Sequence, residues 1–174
     1  SGYADSICHN TVYLSGTVGG TANPVQTYAF YKNANIGSTI LLNNILYNVR
    51  SGGNTIATSR HWSVSLPGMS SITTINGNDY LATGSRGMLG RLASTNYSSL
   101  STWQTATGQD AKSLSVNPNL LNAGGSSPLD YKTSGVLDGV AAGVLIDFGA
   151  SDRDLTTPTI GAWEYFLCVE IWTG

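Results

Sequence analysis

Charge is scarce in this 174-residue chain: Asp, Glu, Lys and Arg make up 10% of it, against about 25% in an ordinary soluble domain. Eight basic and ten acidic residues leave a formal charge of -2, which gives no positive field to hold a nucleic-acid backbone or an anionic bilayer. Long apolar runs are also missing. No stretch approaches the ~20 residues of a membrane-spanning helix, and Ser1-Gly2-Tyr3-Ala4-Asp5 has neither the basic nor the apolar region of a leader. The expectation is a soluble chain with no membrane insertion and any export signal already removed. Only two cysteines occur, Cys8 and Cys168, near opposite ends and without a second ligand group, so zinc and C-x-x-C redox motifs are excluded. A Cys8–Cys168 disulfide would tie the ends together; two buried thiols are the alternative. Nucleotide-binding glycine loops of the G-x-x-x-x-G-K-[ST] or G-x-G-x-x-G kind are absent, and no cofactor is expected.

In place of charge stand 21 glycines and many Ser, Thr and Asn, with 41% hydrophobic residues, enough for the core of one domain. Their order repeats. Asp5-Ser6-Ile7-Cys8-His9-Asn10-Thr11-Val12-Tyr13-Leu14 lies over Thr39-Ile40-Leu41-Leu42-Asn43-Asn44-Ile45-Leu46-Tyr47-Asn48 and over Thr73-Thr74-Ile75-Asn76-Gly77-Asn78-Asp79-Tyr80-Leu81-Ala82 at a period of 34. The columns Ile7/Leu41/Ile75 and Val12/Leu46/Tyr80 are apolar, and Asn10/Asn44/Asn78 holds asparagine in every copy. Tyr28 likewise lies over Trp62, and Phe30 over Val64.

The repeated segments are short, rich in β-branched and aromatic residues, and bounded by Ser15-Gly16, Ser51-Gly52-Gly53 and Thr83-Gly84-Ser85, the pattern of strands and turns. One such unit cannot bury its own apolar face, so copies must stack with like residues in columns. The predicted fold class is all-β: a right-handed parallel β-helix (solenoid) of about three rungs, with residues 1–97 forming the rungs. Surplus residues are placed in loops at Thr17 to Asn23 and Arg50 to Ser59. Asn10, Asn44 and Asn78 read as a structural ladder at a turn, because stacked amides donate and accept along the stack and asparagine tolerates left-handed backbone.

After Leu89 the repeat is expected to stop. Residues 98–174 then form a short helix and a capping segment of the same domain. Ser98 or Ser99 is the N-cap, Leu100 and Trp103 share one helix face, and Gly108 ends it, with Trp103 over the end of the stack. Tyr165 to Trp172 alternates as a closing strand.

The segments Trp103-Gln104-Thr105-Ala106-Thr107-Gly108-Gln109-Asp110, Val116-Asn117-Pro118, Ser127-Pro128-Leu129-Asp130, Asp152-Arg153 and Pro158-Thr159-Ile160-Gly161-Ala162-Trp163-Glu164-Tyr165 resemble the C-terminal region of right-handed parallel β-helix proteins of the pectin-lyase-like superfamily. Most similar are the secreted or surface proteins of Bacteroidetes- and Chlorobi-type bacteria. Asn117-Pro118 departs from the usual Asp-Pro, and Tyr131-Lys132 from a small residue and Gly. The resemblance implies an extracellular or cell-surface bacterial protein. It also implies more than three turns, with the first rung covered either by upstream rungs of a longer chain or by end-to-end self-association.

Enzymes share that fold, but the paired carboxylates of inverting glycosidases have no counterpart in an adjacent Asp-Asp, Gly-His-Gly or Arg-Ile-Lys, and His9 and His61 lack a triad context. Asp147, Asp152 and Asp154, beside Arg153, are read as turn and ion-pair residues, with a calcium or catalytic site as the alternative. Tyr28 and Trp62 are either core or an aromatic platform for carbohydrate, as are Tyr13 and Tyr47; Arg50, Arg60 and His61 are the basic group able to meet an acidic sugar or a partner. Asn96-Tyr97-Ser98 meets the glycosylation pattern, which carries little alone. The expected role is non-enzymatic: a structural, adhesive or fibre-forming surface protein contacting glycans or sister subunits. The alternative is a fragment of a polysaccharide lyase or glycoside hydrolase with its catalytic rungs upstream.

Overall fold

The computed structural model describes residues 4–19, 24–53 and 59–166. Within them the chain is mostly β, with one α-helix. The first repeat contains β1 (Ala4–Cys8), β2 (Thr11–Leu14), β3 (Thr17–Val18) and β4 (Gln26–Tyr31); the second, β5 (Ser38–Leu42), β6 (Ile45–Asn48), β7 (Ser51–Gly52) and β8 (Arg60–Leu66). Then come β9 (Ile72–Asn76), β10 (Asp79–Ala82), β11 (Gly87–Leu92), β12 (Thr95–Tyr97) and α1 (Leu100–Thr107). Equivalent strands of successive repeats pair in parallel, giving sheets β1-β5-β9, β2-β6-β10, β3-β7 and β4-β8-β11, the last extended by antiparallel β12. Their register is the 34-residue offset: Ile7 opposite Leu41, Val12 opposite Leu46, Tyr28 opposite Trp62. Thr17 and Ser51, expected in loops, are strand residues of β3 and β7.

Columns of like side chains therefore fill the interior. Leu41, Leu46, Val64, Leu66, Ile75 and Tyr80 form the buried core, while Ile7, Val12, Ala29 and Phe30 of the first repeat are only partly buried against it. Each repeat bends at the link between its first two strands through a residue with left-handed backbone: His9 (φ 56°), Asn43 (φ 55°) and Gly77 (φ 64°). The bend was expected at the asparagine column, but it lies one residue earlier. Glycine is required at the last of these, because a Cβ on Gly77 would lie 2.4 Å from Asn43 Oδ1.

As a strand register the 34-residue spacing ends with β10, a little before Leu89, and β12 pairs with β11 antiparallel. β11 pairs with β8 at a shorter offset, Met88 opposite Trp62 and Leu92 opposite Leu66, because the third repeat has lost the excursion between its strands. The offset of 34 returns where Trp62 Nε1 donates to Asn96 Oδ1 (3.0 Å) and Ile75 N to Gln109 Oε1 (2.7 Å). Helix α1 has Ser99 as N-cap and Gly108 (φ 66°) as its left-handed stop. It buries Trp103 completely, with ring centroids 6.2 Å from Tyr80 and 5.8 Å from Tyr97. Gly90 makes this possible, since a Cβ there would sit 2.5 Å from the indole.

Residues 115–166 are irregular, holding no strand or α-helix apart from a 3-10 turn at Pro128–Tyr131, and begin against β10 at the end of its sheet. They run back along the side of the stack. Val116 N donates to Asp79 of the third repeat (3.0 Å), the Asn43 amide of the second exchanges bonds with Val140 N and O (2.8 and 2.6 Å), and Ala162 N donates to Thr11 Oγ1 of the first (3.0 Å). A segment with only isolated bridges and single backbone bonds of its own must place its remaining backbone groups on side chains. Most of the closing strand expected at Tyr165 to Trp172 lies outside the described residues, as does Cys168; Tyr165 and Phe166 are described and are not in a strand.

Candidate functional site

The asparagine column is one continuous row. Asn10 Nδ2 donates to Asn44 Oδ1 (2.9 Å), Asn44 Nδ2 to Asn78 Oδ1 (3.0 Å), and the backbone N–H of Asn10 and Asn44 follow the same route. Spare amide protons reach the carbonyls of Ile7, Leu41 and Leu42, so each buried amide satisfies backbone groups of the bend. The row ends at Ser113, whose hydroxyl accepts from Asn78 N (2.9 Å) and donates to the Asp110 carboxylate. Asp110 also receives Trp103 Nε1 (2.7 Å) and the Tyr80 hydroxyl. Burial raises the Asp110 carboxyl against the pull of these donors, and burial beside it raises the Tyr80 phenol well above its ordinary value. Ser113 and Asp110 escape a search for repeated asparagine because a serine, one place out of period, takes over the row. At the other end, Asn10 Oδ1 accepts from none of the described residues.

The basic group read from sequence is divided. His61 is fully buried: Nδ1 meets Thr27 Oγ1 (2.9 Å) and Nε2 meets the Gly52 carbonyl (3.3 Å). Burial lowers its pKa, the Gly52 carbonyl opposes this, and Arg50 and Arg86 reinforce it, so it is an internal strut and no surface contact. Arg60 donates to its neighbour's carbonyl, Ser59 O (2.7 Å). Neither it nor Arg50 finds a partner for its buried Nε among the described residues. His9 is also held neutral: the Thr159 carbonyl can only accept, so Nδ1 carries the proton and Nε2 accepts from Asn43 Nδ2. Burial and the nearby Arg153 charge lower its pKa to about 4.

Asp147, Asp152 and Asp154 are not brought together. Asp147 is buried, with Oδ1 accepting from Gly149 N and Ser151 N and Oδ2 from Glu164 N; burial would raise its pKa, but these donors outweigh it and lower it. Exposed Asp154 closes a local turn on Thr156 and Thr157, which lowers its pKa to about 2. Asp152 is exposed, and no group of three acidic, His or Cys side chains able to hold a metal occurs among the described residues. Arg153 lies between as a saturated hub: Nε meets Ile146 O, Nη1 meets Thr159 O and Glu164 Oε2 (3.1 Å), and Nη2 meets the Gly161 and Ala162 carbonyls. Cys8 is a half-buried free thiol, raised by burial.

What remains accessible is one flank of the β4-β8-β11 sheet. Ala29 and Phe30 both turn inward to the core, which breaks the alternation of β4 and places Tyr28 and Tyr31 on the same outer face. Trp62 stacks on Tyr28 at 4.9 Å and 7°, Tyr28 on Tyr31 at 4.6 Å and 25°, and the Arg91 guanidinium lies 5.6 Å from the Trp62 ring. Burial raises the Tyr28 phenol, against the opposing pull of Arg91. Trp62, a platform candidate by sequence, is only 2% exposed, whereas Tyr31 is 52% exposed and ends the row. Tyr31, Lys32, Asn33, Ser65, Arg91 and Ala93 line a groove of about 210 Å³. Tyr31, Ser65 and Arg91 are register partners on three adjacent strands. Sequence reading missed this column because β11 pairs out of period.

A second aromatic group, Tyr13 and Tyr47 with Tyr131, is half-buried where the irregular segment crosses β2. Family models, curated proteins and solved structures were compared with the chain, and none matches it.

Proposed function

We propose that the chain is part of a right-handed parallel β-helix from the surface or surroundings of a bacterial cell, with a non-enzymatic, structural and adhesive role in contact with glycans or sister subunits. The in-register parallel sheets and the resemblance of roughly Asp5 to Tyr165 to pectin-lyase-like proteins support the solenoid reading. The observation that carries the adhesive role is the stacked aromatic flank that ends at exposed Tyr31 beside a polar groove, the mixed apolar and hydrogen-bonding surface that saccharide recognition uses. The test is retention on a panel of immobilised polysaccharides, with reducing ends and unsaturated uronates assayed in the same samples. Retention without turnover supports the reading; turnover by this chain replaces it with the lyase or hydrolase alternative.

One observation favours continuation of the stack. β1, β2 and β4 are edge strands among the described residues, and the Asn10 amide oxygen beside them is an unused acceptor. Another rung, from a longer chain or a sister subunit, would satisfy both. Grafting a second copy of residues 35–68 ahead of residue 1 is expected to raise the unfolding midpoint, and an unchanged or lower midpoint counts against continuation.

A further inference from the structure

We propose that the groove between Tyr31 and Arg91 binds an anionic saccharide, with a sugar ring on the exposed face of Tyr31 and its carboxylate or sulfate between Lys32 and Arg91. This rests on the adhesive reading above and names its ligand class. The groove has two cations and no carboxylate among its lining residues. Charge over the whole molecule is divided in the same sense. Residues 1–97 hold five of the eight Lys and Arg but two of the ten Asp and Glu, Asp5 and Asp79, and Asp79 is 1% exposed. Residues 1–97 thus carry a net positive charge even though the chain as a whole is acidic.

The cations are also prepared for the task. Arg91 is stationed by the Trp62 ring, and Lys32 by its bond to the Ile36 carbonyl (3.0 Å), so less side-chain freedom is lost when an anion arrives. The Lys32 ammonium keeps two further donors for a ligand, and the Arg91 fork suits the two oxygens of a carboxylate or sulfate. Tyr31 is held by a bond from its hydroxyl to Asn33 Oδ1 (2.8 Å) and by Tyr28 behind it, leaving one ring face for an apolar sugar face. Asn33, which is exposed, adds a neutral hydrogen-bonding group to the lining.

Calorimetric titration of the whole chain with hexagalacturonate (carboxylate), dextran sulfate (sulfate) and maltohexaose (neutral) tests the assignment, and the first two arms distinguish the anion. At least one anionic ligand is expected to bind, with affinity falling about tenfold between 50 and 300 mM salt, and maltohexaose not to bind. Lys32→Gln should weaken binding about threefold to tenfold and Tyr31→Ala about tenfold or more, with unfolding midpoints unchanged. Arg91→Gln should weaken it similarly, and its unfolding midpoint reports any loosening of Trp62. Salt-insensitive binding of maltohexaose that Tyr31→Ala abolishes and Lys32→Gln leaves intact overturns the anionic assignment while the adhesive flank stands. Binding of none of the three overturns the groove, and the polysaccharide panel then decides whether the adhesive reading survives elsewhere. Anion binding unchanged in Lys32→Gln and Arg91→Gln together also overturns it.

Discussion

The repeats and the irregular segment beside them solve the same problem in opposite ways. In residues 4–97 backbone groups find partners in the next repeat, and side chains are free to form columns. In residues 115–166 backbone pairing is limited to isolated bridges and single bonds, and a few side chains carry much of the rest: Arg153 serves four carbonyls, Asp147 three N–H groups, and Asn43 both groups of Val140. Repetition spreads stability over many equivalent contacts, whereas the irregular segment concentrates it in a few residues. A lesion in one should therefore be graded and local, and in the other severe.

The largest expected effect breaks the irregular side. Arg153→Met leaves the buried Glu164 carboxylate without its ion-pair partner and takes one donor from each of four carbonyls, at a cost of about 3–5 kcal/mol. Urea unfolding should divide into an early transition of the tyrosine and tryptophan signal around Trp163 and a later one of the β signal. Within the repeats, Asn44→Ala should cost about 2–3 kcal/mol, because a fully buried amide with contacts on both sides is lost. Asn10→Ala, at the exposed end of the same row, should cost under ~1 kcal/mol; equal losses in thermal unfolding would mean that the row is not acting as a chain. Gly90→Ala pushes a methyl into the Trp103 ring and should cost about 1–3 kcal/mol, readable as a red-shifted tryptophan emission.

The smallest effect is one of pH, and it sets against each other two residues of the repeats on which the irregular segment packs, Asp79 and His9. Asp79, buried with Oδ2 unpartnered, has its carboxyl raised to about 7 by burial, against the Val116 N–H. Its folded form is favoured below the ordinary pKa of 3.8, and that advantage is lost as pH rises towards 7. His9 is lowered to about 4 from 6.5, so its contribution is complete above pH 6.5 and is lost as pH falls towards 4. Between these limits the slopes oppose. Asp79→Asn should remove one of them, so that stability, followed by urea midpoints from pH 4 to 8, falls on acidification more steeply than in the parent chain. A parallel pair of curves would refute the Asp79 assignment.

The contrast also explains what could be read in advance. In-register parallel pairing demands similar residues at equal spacing, so the 34-residue period, the Asn10/Asn44/Asn78 row and the capped helix around Trp103 were legible in the chain. The left-handed column was not, because His9, Asn43 and Gly77 meet one backbone requirement with three unlike residues. Neither was the Tyr31–Ser65–Arg91 column, since β11 pairs out of period, nor the burial of Trp62, which depends on neighbours on other strands. The irregular segment leaves no period to find: Asn43 meets Val140 across 97 residues through a backbone contact that any residue at 140 could make.

The amide row has a direction. Along the row itself Asn10 and Asn44 each pass a backbone N–H and an amide proton to the next asparagine, and Asn78 passes its N–H to Ser113, so a further internal member would meet the same partners as Asn44. An additional unit of 34 residues, spliced between the second and third, would inherit the same donors below and the same acceptors above. Such a molecule can change its length by whole steps during evolution, like links added to a strap, while the buckle of serine, aspartate and tryptophan at its tail stays as it is.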